Sequence, residues 1–311
     1  MSLNRNKITI VGAGNVGASC ASWIIERNLA DVVLLDIPET KNMPKGKALD
    51  MLQMSPISNT HCKIIGTTNY ELTASSDICV ITAGVPRKPG MSREDLVATN
   101  QGIVQTVVKN LTQYSPQTIL IIVTNPLDSM CYVALKASNF PKNRVIGQAG
   151  VLDSARMRTF ISQELGISVE NIHASVIGGH GDEMVPLIRY STICGLPLSH
   201  FLSKEKINEI VDRTRKGGSE LVNLLGISAW YAPGAAAGFM VEAILKDKKI
   251  ILPCSAFLEG EYGLSNLYFG VLGILGNHGL EKIIDIPLNE EEQQLLKKSA
   301  GLIQETMKSL K

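Results

Sequence analysis

The fold is decided by Lys7-Ile8-Thr9-Ile10-Val11-Gly12-Ala13-Gly14-Asn15-Val16-Gly17, a strand-like run followed by G-x-G-x-x-G at the start of a helical pattern. In that context Gly12 permits a tight turn, Gly14 lets a pyrophosphate approach the backbone, and Gly17 lets helix and sheet pack closely. The N–H groups at the helix start can bind phosphate. The alternative is a glycine-rich turn without a ligand. We expect a dinucleotide to be bound by Gly12, Ala13, Gly14, Asn15, Val16 and Gly17.

Asp36 indicates which dinucleotide is bound. It ends the second predicted strand, where a carboxylate can accept hydrogen bonds from both hydroxyls of the adenosine ribose. A 2′-phosphate at that place would meet a like charge, and the next residues, Ile37-Pro38-Glu39, offer no arginine. The sequence therefore predicts NAD rather than NADP.

Short apolar runs alternate with amphipathic helical stretches through the first half of the chain. The predicted strands are residues 7–11, 31–36, 62–67, 77–82, 118–124 and 144–146. The predicted helices are 15–28, 45–54, 93–114 and 128–138. Because buried strands separated by helices form parallel sheets covered on both faces, we expect an α/β fold with a doubly wound Rossmann sheet over residues 1–147.

The pattern changes in the second half, which we expect to be an α+β C-terminal substrate domain, residues 148–311. Its predicted helices are 153–165, 204–225, 235–245 and a terminal one from residue 289. Its predicted strands are 171–177, 249–258 and 267–271.

Composition excludes several classes of protein. The net charge of +1 over 311 residues argues against an electrostatic grip on nucleic acid or an anionic membrane. The apolar runs are too short to span a bilayer, and a strand pattern begins too early for a signal peptide. Six scattered cysteines form no C-x-x-C pair, so we expect neither disulfides nor a metal site. These features predict a soluble cytoplasmic protein.

Three segments hold candidate catalytic groups. His180 lies between glycines at an apparent strand end, where an imidazole can exchange a proton with a substrate; a loop histidine bonded to backbone is the alternative. Asp153 and Arg156 share a helix face, as a simple surface ion pair also would. Asn125 ends another strand, where it could equally be a helix cap.

Residues 84–93, Gly-Val-Pro-Arg-Lys-Pro-Gly-Met-Ser-Arg, follow the fourth predicted strand. Taken alone, this segment could be a solvated basic loop. Ligands of doubly wound sheets bind beyond the carboxyl ends of the strands, so a glycine-hinged loop there could be a lid that carries Arg87 and Arg93.

The ordered motifs GAGNVG, AGVPRKPGMSREDL, VTNPLD, GQAGVLDSARMR and GGHGDEMVP resemble those of the lactate/malate dehydrogenase family over essentially the whole chain. Within it, the sequence is similar to the lactate-dehydrogenase-like malate-specific group. The resemblance implies an NAD-dependent oxidoreductase of the tricarboxylic acid cycle, with a small dicarboxylate substrate, malate or oxaloacetate. It also implies a homodimer or homotetramer.

The resemblance further implies a role for each candidate residue. His180 would be the proton donor and acceptor, oriented by Asp153, while Arg156 would bind the C1 carboxylate. Arg93 would polarise the reacting carbonyl, and Asn125 would bond both substrate and cofactor region. Asn100 and Val123 would line the cofactor site through side-chain and backbone contacts respectively.

Within the family that the sequence resembles, Arg87 is the residue that distinguishes enzymes specific for malate from those specific for lactate. The lactate enzymes generally have Gln at this lid position and the malate enzymes Arg, because a second carboxylate needs a cation once water is excluded. The alternative is a dehydrogenase for L-lactate or another 2-hydroxy-monocarboxylate. The same fold could also belong to a catalytically silent NAD-binding protein or to a purely structural oligomer.

Overall fold

The computed structural model describes residues 5–86, 93–181 and 183–310. Its first half contains strands β1 (Lys7–Val11), β2 (Asp31–Leu35), β3 (Ile64–Thr67), β4 (Ile78–Ile81), β5 (Ile119–Ile122) and β6 (Val145–Gly147). The helices between them are α1 (Asn15–Glu26), α2 (Met43–Ser58), α3 (Arg93–Tyr114) and α4 (Leu127–Ser138).

The second half mixes helices with short strands. Its helices are α5 (Gly150–Leu165), α6 (Lys204–Leu225), α7 (Tyr231–Leu245) and α8 (Glu290–Met307). Its strands are β7 (Ile172–His173), β8 (Val176–Ile177), β9 (Val185–Pro186), β10 (Thr192–Ile193), β11 (Leu196–Pro197), β12 (Ile250–Glu259), β13 (Ser265–Gly276) and β14 (Gly279–Ile284). Single 3-10 turns occur at Pro38–Thr40, Tyr70–Thr73, Lys142–Arg144, Val169–Asn171, Ile188–Tyr190, Leu198–His200 and Glu261–Gly263.

One nine-stranded sheet organises the molecule, in the order β14-β13-β12-β6-β5-β4-β1-β2-β3. The strands from β1 to β6 are parallel, and their order reverses between β1 and β4. In open α/β sheets the crevice at such a reversal is where ligands bind. The predicted α/β class with a doubly wound parallel sheet is therefore confirmed.

Both faces of the central parallel strands β4 and β5 are buried, which explains their continuous apolar sequence. On β4, Ile78 and Val80 pack into one core cluster with α1 and α7, whereas Cys79 and Ile81 pack into the opposite cluster with α3 and α4. Alternate side chains of a strand point to opposite faces, so each strand anchors two helical layers. The carboxyl ends of β1, β4 and β5 are thereby held rigidly at one edge.

Several predicted bounds were wrong. The single strand expected at 171–177 is two short strands in different sheets, with the Val176 amide donating to Ser154 Oγ at 2.9 Å. Helix α7 begins four residues earlier than expected, since Pro233 is tolerated in the first turn, where its missing N–H costs nothing. The expected strand 267–271 extends over twelve residues, and β14 was not predicted.

The strands β12, β13 and β14 do not form a sheet of their own. They extend the parallel sheet through an antiparallel contact between Ser255 and Gly147. The predicted domain boundary at residue 147 therefore lies within one continuous sheet, and it stays a prediction.

Among the described residues, no helix is both long and apolar enough to cross a membrane.

Candidate active site

A cleft of about 440 Å³ opens where the carboxyl ends of the parallel strands meet the second half of the chain. It brings together six of the predicted site residues: Val16, Asn100, Val123, Asn125, Arg156 and His180. Segments far apart in sequence thus converge on one cavity.

The glycine loop has the geometry that a dinucleotide requires. Gly12 has φ +102°, and a Cβ on Gly17 would lie 1.9 Å from the Gly12 carbonyl oxygen, so neither position accepts a side chain. A Cβ on Gly14 would meet no described atom within 4 Å, which leaves space for a phosphate. Within residues 5–86 no side chain caps α1 and no acid lies in its first turn, so its amide donors are available to an anion.

Asp36 is fixed beside that loop. Its carboxylate accepts hydrogen bonds from the backbone N–H of Ala13 at 2.7 Å and of Ile37 at 2.8 Å. Lys47 of α2 donates to the Ala13 carbonyl at 2.8 Å, so a cation lies close to this edge of the loop. Each carboxylate oxygen retains a second lone pair, which a ribose hydroxyl can use. These residues fit the adenosine end of NAD.

Asp153 joins the other two predicted catalytic groups. His180 Nδ1 lies 2.8 Å from one oxygen of Asp153, and Arg156 donates to the other oxygen at 3.1 Å. The Asp153 side chain is 2% exposed and that of Arg156 14%, so the alternative of a surface ion pair is excluded. Asp153 lies in the first turn of α5, where the helix dipole stabilises a carboxylate.

The surroundings of His180 favour its protonated form. The Asp153 carboxylate is the main cause of a raised pKa, which outweighs burial and the repulsion of Arg156, and Asp128 contributes in the same direction. Because Nδ1 faces Asp153, Nε2 is the atom left for a substrate. The raised pKa of His180 therefore keeps a proton available on Nε2 to a higher pH than in an ordinary imidazole.

The Asn100 side chain hydrogen-bonds backbone groups at the edge of the cleft, including the carbonyl of Asn125. Asn100 Nδ2 donates to the carbonyl of Asn125 at 2.7 Å and to that of Val85 at 3.2 Å, and its Oδ1 accepts from the Val85 amide at 2.8 Å. Among the described residues these bonds use both Nδ2 hydrogens of Asn100 and one lone pair of its Oδ1. Asn125 is exposed and does not cap α4, whose N-cap residue is Pro126. Val123 directly follows the last residue of β5 and is half-buried.

Two donors in the cleft have no protein partner among the described residues. Arg156 Nε and Gln148 Nε2 are both buried and unpaired there. Buried donors are normally satisfied, so unpaired ones at a cleft indicate a bound acceptor such as a carboxylate. A Cβ on Gly217 of α6 would lie 3.1 Å from Arg156 Cδ, so this glycine gives the guanidinium its room.

Sequence reasoning missed several residues of this cleft. Gln148, Gly217 and Arg215 were not singled out, although each lies in its wall or against Arg156. Glycine in the interior of a helix is unfavourable unless packing requires it, and Gly217-Gly218 within α6 was such a signal. Gln148 lies within the quoted motif GQAGVLD but was assigned no role.

The two arginines of the predicted lid are less fully described. Arg87 lies outside the described residues, and only the backbone of Arg93 is described, at the start of α3. The roles predicted for these two arginines stay predictions.

The described residues include no group of three metal-ligating side chains. The six cysteines are free thiols, five of them buried.

A doubly wound sheet with this glycine loop, Asp36 and a buried His–Asp–Arg cluster defines a dinucleotide-dependent dehydrogenase. The comparisons with known proteins agree. The family model "lactate/malate dehydrogenase, NAD binding domain" matches residues 6–147, and "lactate/malate dehydrogenase, alpha/beta C-terminal domain" matches residues 150–311. The chain therefore belongs to the lactate/malate dehydrogenase family.

Individual relatives are similar over almost their whole length. The malate dehydrogenase of Roseiflexus sp. (strain RS-1) is 56% identical over 308 residues, 99% of each chain. The structure of malate dehydrogenase from Salinibacter ruber matches with a TM-score of 0.94 and 48% identity, covering 98% of this chain and 97% of that one. Lactate dehydrogenase from Cryptosporidium parvum, complexed with lactic acid and the cofactor NAD, matches at 0.94 and 41%, covering 98% of each. The predicted family and the predicted NAD cofactor are confirmed.

Proposed function

We propose that this protein catalyses reversible hydride transfer between (S)-malate and oxaloacetate, with NAD as hydride carrier and without decarboxylation. The observation that carries the proposal is the cluster of His180, Asp153 and Arg156, which places a proton donor and a carboxylate anchor in one cleft beside the dinucleotide loop. The malate dehydrogenases among the full-length relatives support this substrate, and the alternative of L-lactate has no better support.

The chain's own residues supply the substrate chemistry. Arg156 binds the C1 carboxylate in a forked pair, using Nε and the Nη atom that Asp153 does not occupy. NADH, which the glycine loop and Asp36 would hold, would supply the hydride chemistry. Protonated His180 donates its Nε2 proton to the carbonyl oxygen, while Asp153 stabilises the imidazolium and fixes the ring.

The two directions need opposite protonation states of His180. Reduction of oxaloacetate needs the imidazolium, which a raised pKa preserves to higher pH. Oxidation of malate needs the neutral imidazole and is therefore favoured as pH rises through that pKa. The pH optima of the two directions are accordingly expected to lie on opposite sides of the pKa of His180.

The proposal also assigns roles to Arg87 and Arg93, and these roles rest on the sequence alone. Arg93 polarises the reacting carbonyl, and Arg87 pairs with the distal carboxylate that distinguishes oxaloacetate from pyruvate. Asn125 hydrogen-bonds the substrate beyond the carboxyl end of β5. The cofactor is held by residues 12–17, Asp36, Asn100 and Val123.

The setting of the enzyme is also part of the proposal. We place the boundary between the NAD domain and the substrate domain at residue 147, and we propose a homodimer or homotetramer. The free and mostly buried cysteines suit a reducing compartment, which supports a cytoplasmic location.

Product analysis tests the proposed reaction directly. Oxaloacetate and NADH are incubated with the full-length protein, and the four-carbon acid is identified by proton NMR. We expect malate in an amount equal to the NADH consumed. Lactate as the product, or consumption of NADH without malate, would contradict the proposal.

A further inference from the structure

The peptide between Ala13 and Gly14 lies in the middle of the glycine loop, and its carbonyl group is bonded to a lysine of another helix. Ala13 is fully buried, so this carbonyl needs a partner within the protein. The backbone bonds of α1 begin one residue later, where the Ala18 amide donates to the Gly14 carbonyl at 3.0 Å. The partner of the Ala13 carbonyl is instead Lys47 of α2, whose Nζ donates to it at 2.8 Å.

The packing of α2 against the sheet brings Lys47 to this loop. A Cβ on Gly66 of β3 would lie 2.0 Å from the Pro44 carbonyl oxygen, so only glycine lets the first turn of α2 approach the strand this closely. Pro44 and Ala48 are buried at this contact, and Lys47 lies between them in sequence and is half-buried. The aliphatic stem of Lys47 is therefore packed, while its ammonium group reaches the loop.

The bond from Lys47 determines which way the Gly14 amide points. The Ala13–Gly14 peptide is trans, and in a planar trans peptide the N–H points opposite to the C=O. Because the carbonyl is turned toward Lys47, the Gly14 N–H faces away from that lysine. Gly14 is exposed, and a Cβ there would meet no described atom within 4 Å. Its N–H can therefore reach a phosphate oxygen at the start of α1.

We infer that Lys47 is a positioning residue for the cofactor: by holding the Ala13 carbonyl, it turns the Gly14 N–H toward the pyrophosphate of NAD. This inference rests on the NAD-binding part of the proposed function. Without the lysine the peptide could rotate at little cost, because glycine accepts both signs of φ. A cation bonded to the carbonyl also polarises the peptide, which makes its N–H a stronger donor to phosphate.

Asp36 acts on a different peptide of the same loop. Its carboxylate accepts from the Ala13 N–H at 2.7 Å, and that N–H belongs to the peptide between Gly12 and Ala13. Loss of the Lys47 bond therefore leaves the carboxylate proposed to bind the adenosine ribose in place. The two residues are expected to differ in the ligands they affect: Asp36 acts on any adenosine, whereas Lys47 acts on a ligand that has the pyrophosphate.

The test compares two ligands without nicotinamide on the full-length protein. Adenosine offers only the base and the ribose, and ADP-ribose adds the pyrophosphate. The Kd of each is measured by NMR titration for wild type and for Lys47→Met, which keeps an apolar stem and removes the ammonium group. We expect the Kd of ADP-ribose to rise about tenfold, the order expected for one lost bond to a charged group, and that of adenosine to stay within about twofold.

Steady-state kinetics give a second readout. A hydrogen bond made equally in the ground state and the transition state affects KM and not kcat. Lys47→Met should therefore raise the KM for NADH in oxaloacetate reduction by about tenfold, with kcat nearly unchanged.

Lys45→Met is the matched control for the loss of charge. Lys45 is exposed and lies two residues earlier on α2, and residues at that spacing lie on different faces of a helix. The control removes the same positive charge without removing the bond to Ala13, so the Kd of both ligands should stay at the wild-type value.

An unchanged Kd for ADP-ribose in Lys47→Met overturns the inference. An equal loss for adenosine and ADP-ribose also overturns it, because Lys47 would then stabilise the loop as a whole, and an equal loss in Lys45→Met would leave only net charge as the cause. Lys47→Gln, with a shorter neutral side chain, serves if the methionine variant does not fold. Wild-type protein that fails to reduce oxaloacetate would refute the proposed function instead, and the binding measurements need no turnover, so the two failures are distinguishable.

Discussion

Gly217 offers a test of the carboxylate anchor that leaves every polar group in place. A Cβ at this position would lie 3.1 Å from Arg156 Cδ, closer than the 3.4 Å at which ordinary contacts begin, so Gly217→Ala must move the arginine by about 0.3 Å or more. Arg156 cannot yield freely, because its guanidinium is bonded to buried Asp153. We expect the forked pair with the C1 carboxylate to be distorted.

The size of the effect follows from that displacement. Misplacing a binding group by 1 Å can cost about 10²-fold, so a shift of a few tenths of an ångström predicts a loss of about threefold to tenfold in kcat/KM for oxaloacetate. Alanine is favoured over glycine in a helix interior by about 0.5–1 kcal/mol. The thermal midpoint should therefore be unchanged or raised while catalysis falls.

Steady-state kinetics and thermal unfolding are measured on both this variant and Gly102→Ala. Gly102 lies in the interior of α3 and is exposed, and its Cβ would meet no described atom within 4 Å, so the same chemical change there should leave kinetics unchanged. Equal kcat/KM for Gly217→Ala and wild type would refute the assignment of Arg156 as the anchor. A loss accompanied by a lower thermal midpoint would point instead to general destabilisation.

Three further predictions concern the other groups. His180→Asn should lower turnover by about 10²- to 10⁴-fold, the usual contribution of general acid–base catalysis, while NADH binding by fluorescence titration stays nearly intact; near-normal turnover would remove His180 as proton carrier. Replacing Asp36 with a neutral residue and adding an adjacent Arg should relax the preference for NADH, whereas equal wild-type efficiency with NADPH would defeat the assignment. Arg87→Gln should lower kcat/KM for oxaloacetate by about 10²- to 10⁴-fold and affect pyruvate less, because only oxaloacetate has a distal carboxylate. Arg156→Gln should impair both substrates, and equal effects of the two arginine variants on both substrates would contradict the role of Arg87.

Most of the fold could be predicted because its strands are buried on both faces. The runs that became β4 and β5 are continuously apolar, and the glycine loop fixed where α1 begins. The segment Gly279–Ile284 could not be recognised, since Glu281 and Lys282 are exposed on a strand at the edge of the sheet. Strands of two residues, such as β7 and β8, are too short to show any periodicity.

Only those residues of the site that lie in family motifs could be predicted. His180, Asp153 and Arg156 were identified from family motifs, and the structure adds that one carboxylate joins them. The pairing of Asp128 with Ser255 spans 127 residues, and nothing local to either segment indicates it. Gly217 could be recognised from the sequence as a glycine in a helix interior. Its contact with Arg156 of α5 could not, because only tertiary packing brings the two residues together.

The central claim is that the cleft carries out hydride exchange between NADH and a dicarboxylate 2-oxo acid. The most direct measurement is one steady-state assay of the wild-type protein with four combinations, oxaloacetate or pyruvate with NADH or NADPH. We expect oxaloacetate with NADH to give the highest kcat/KM by a wide margin, with a large loss on changing either partner. Comparable efficiency with pyruvate and NADH, or with oxaloacetate and NADPH, would contradict the account.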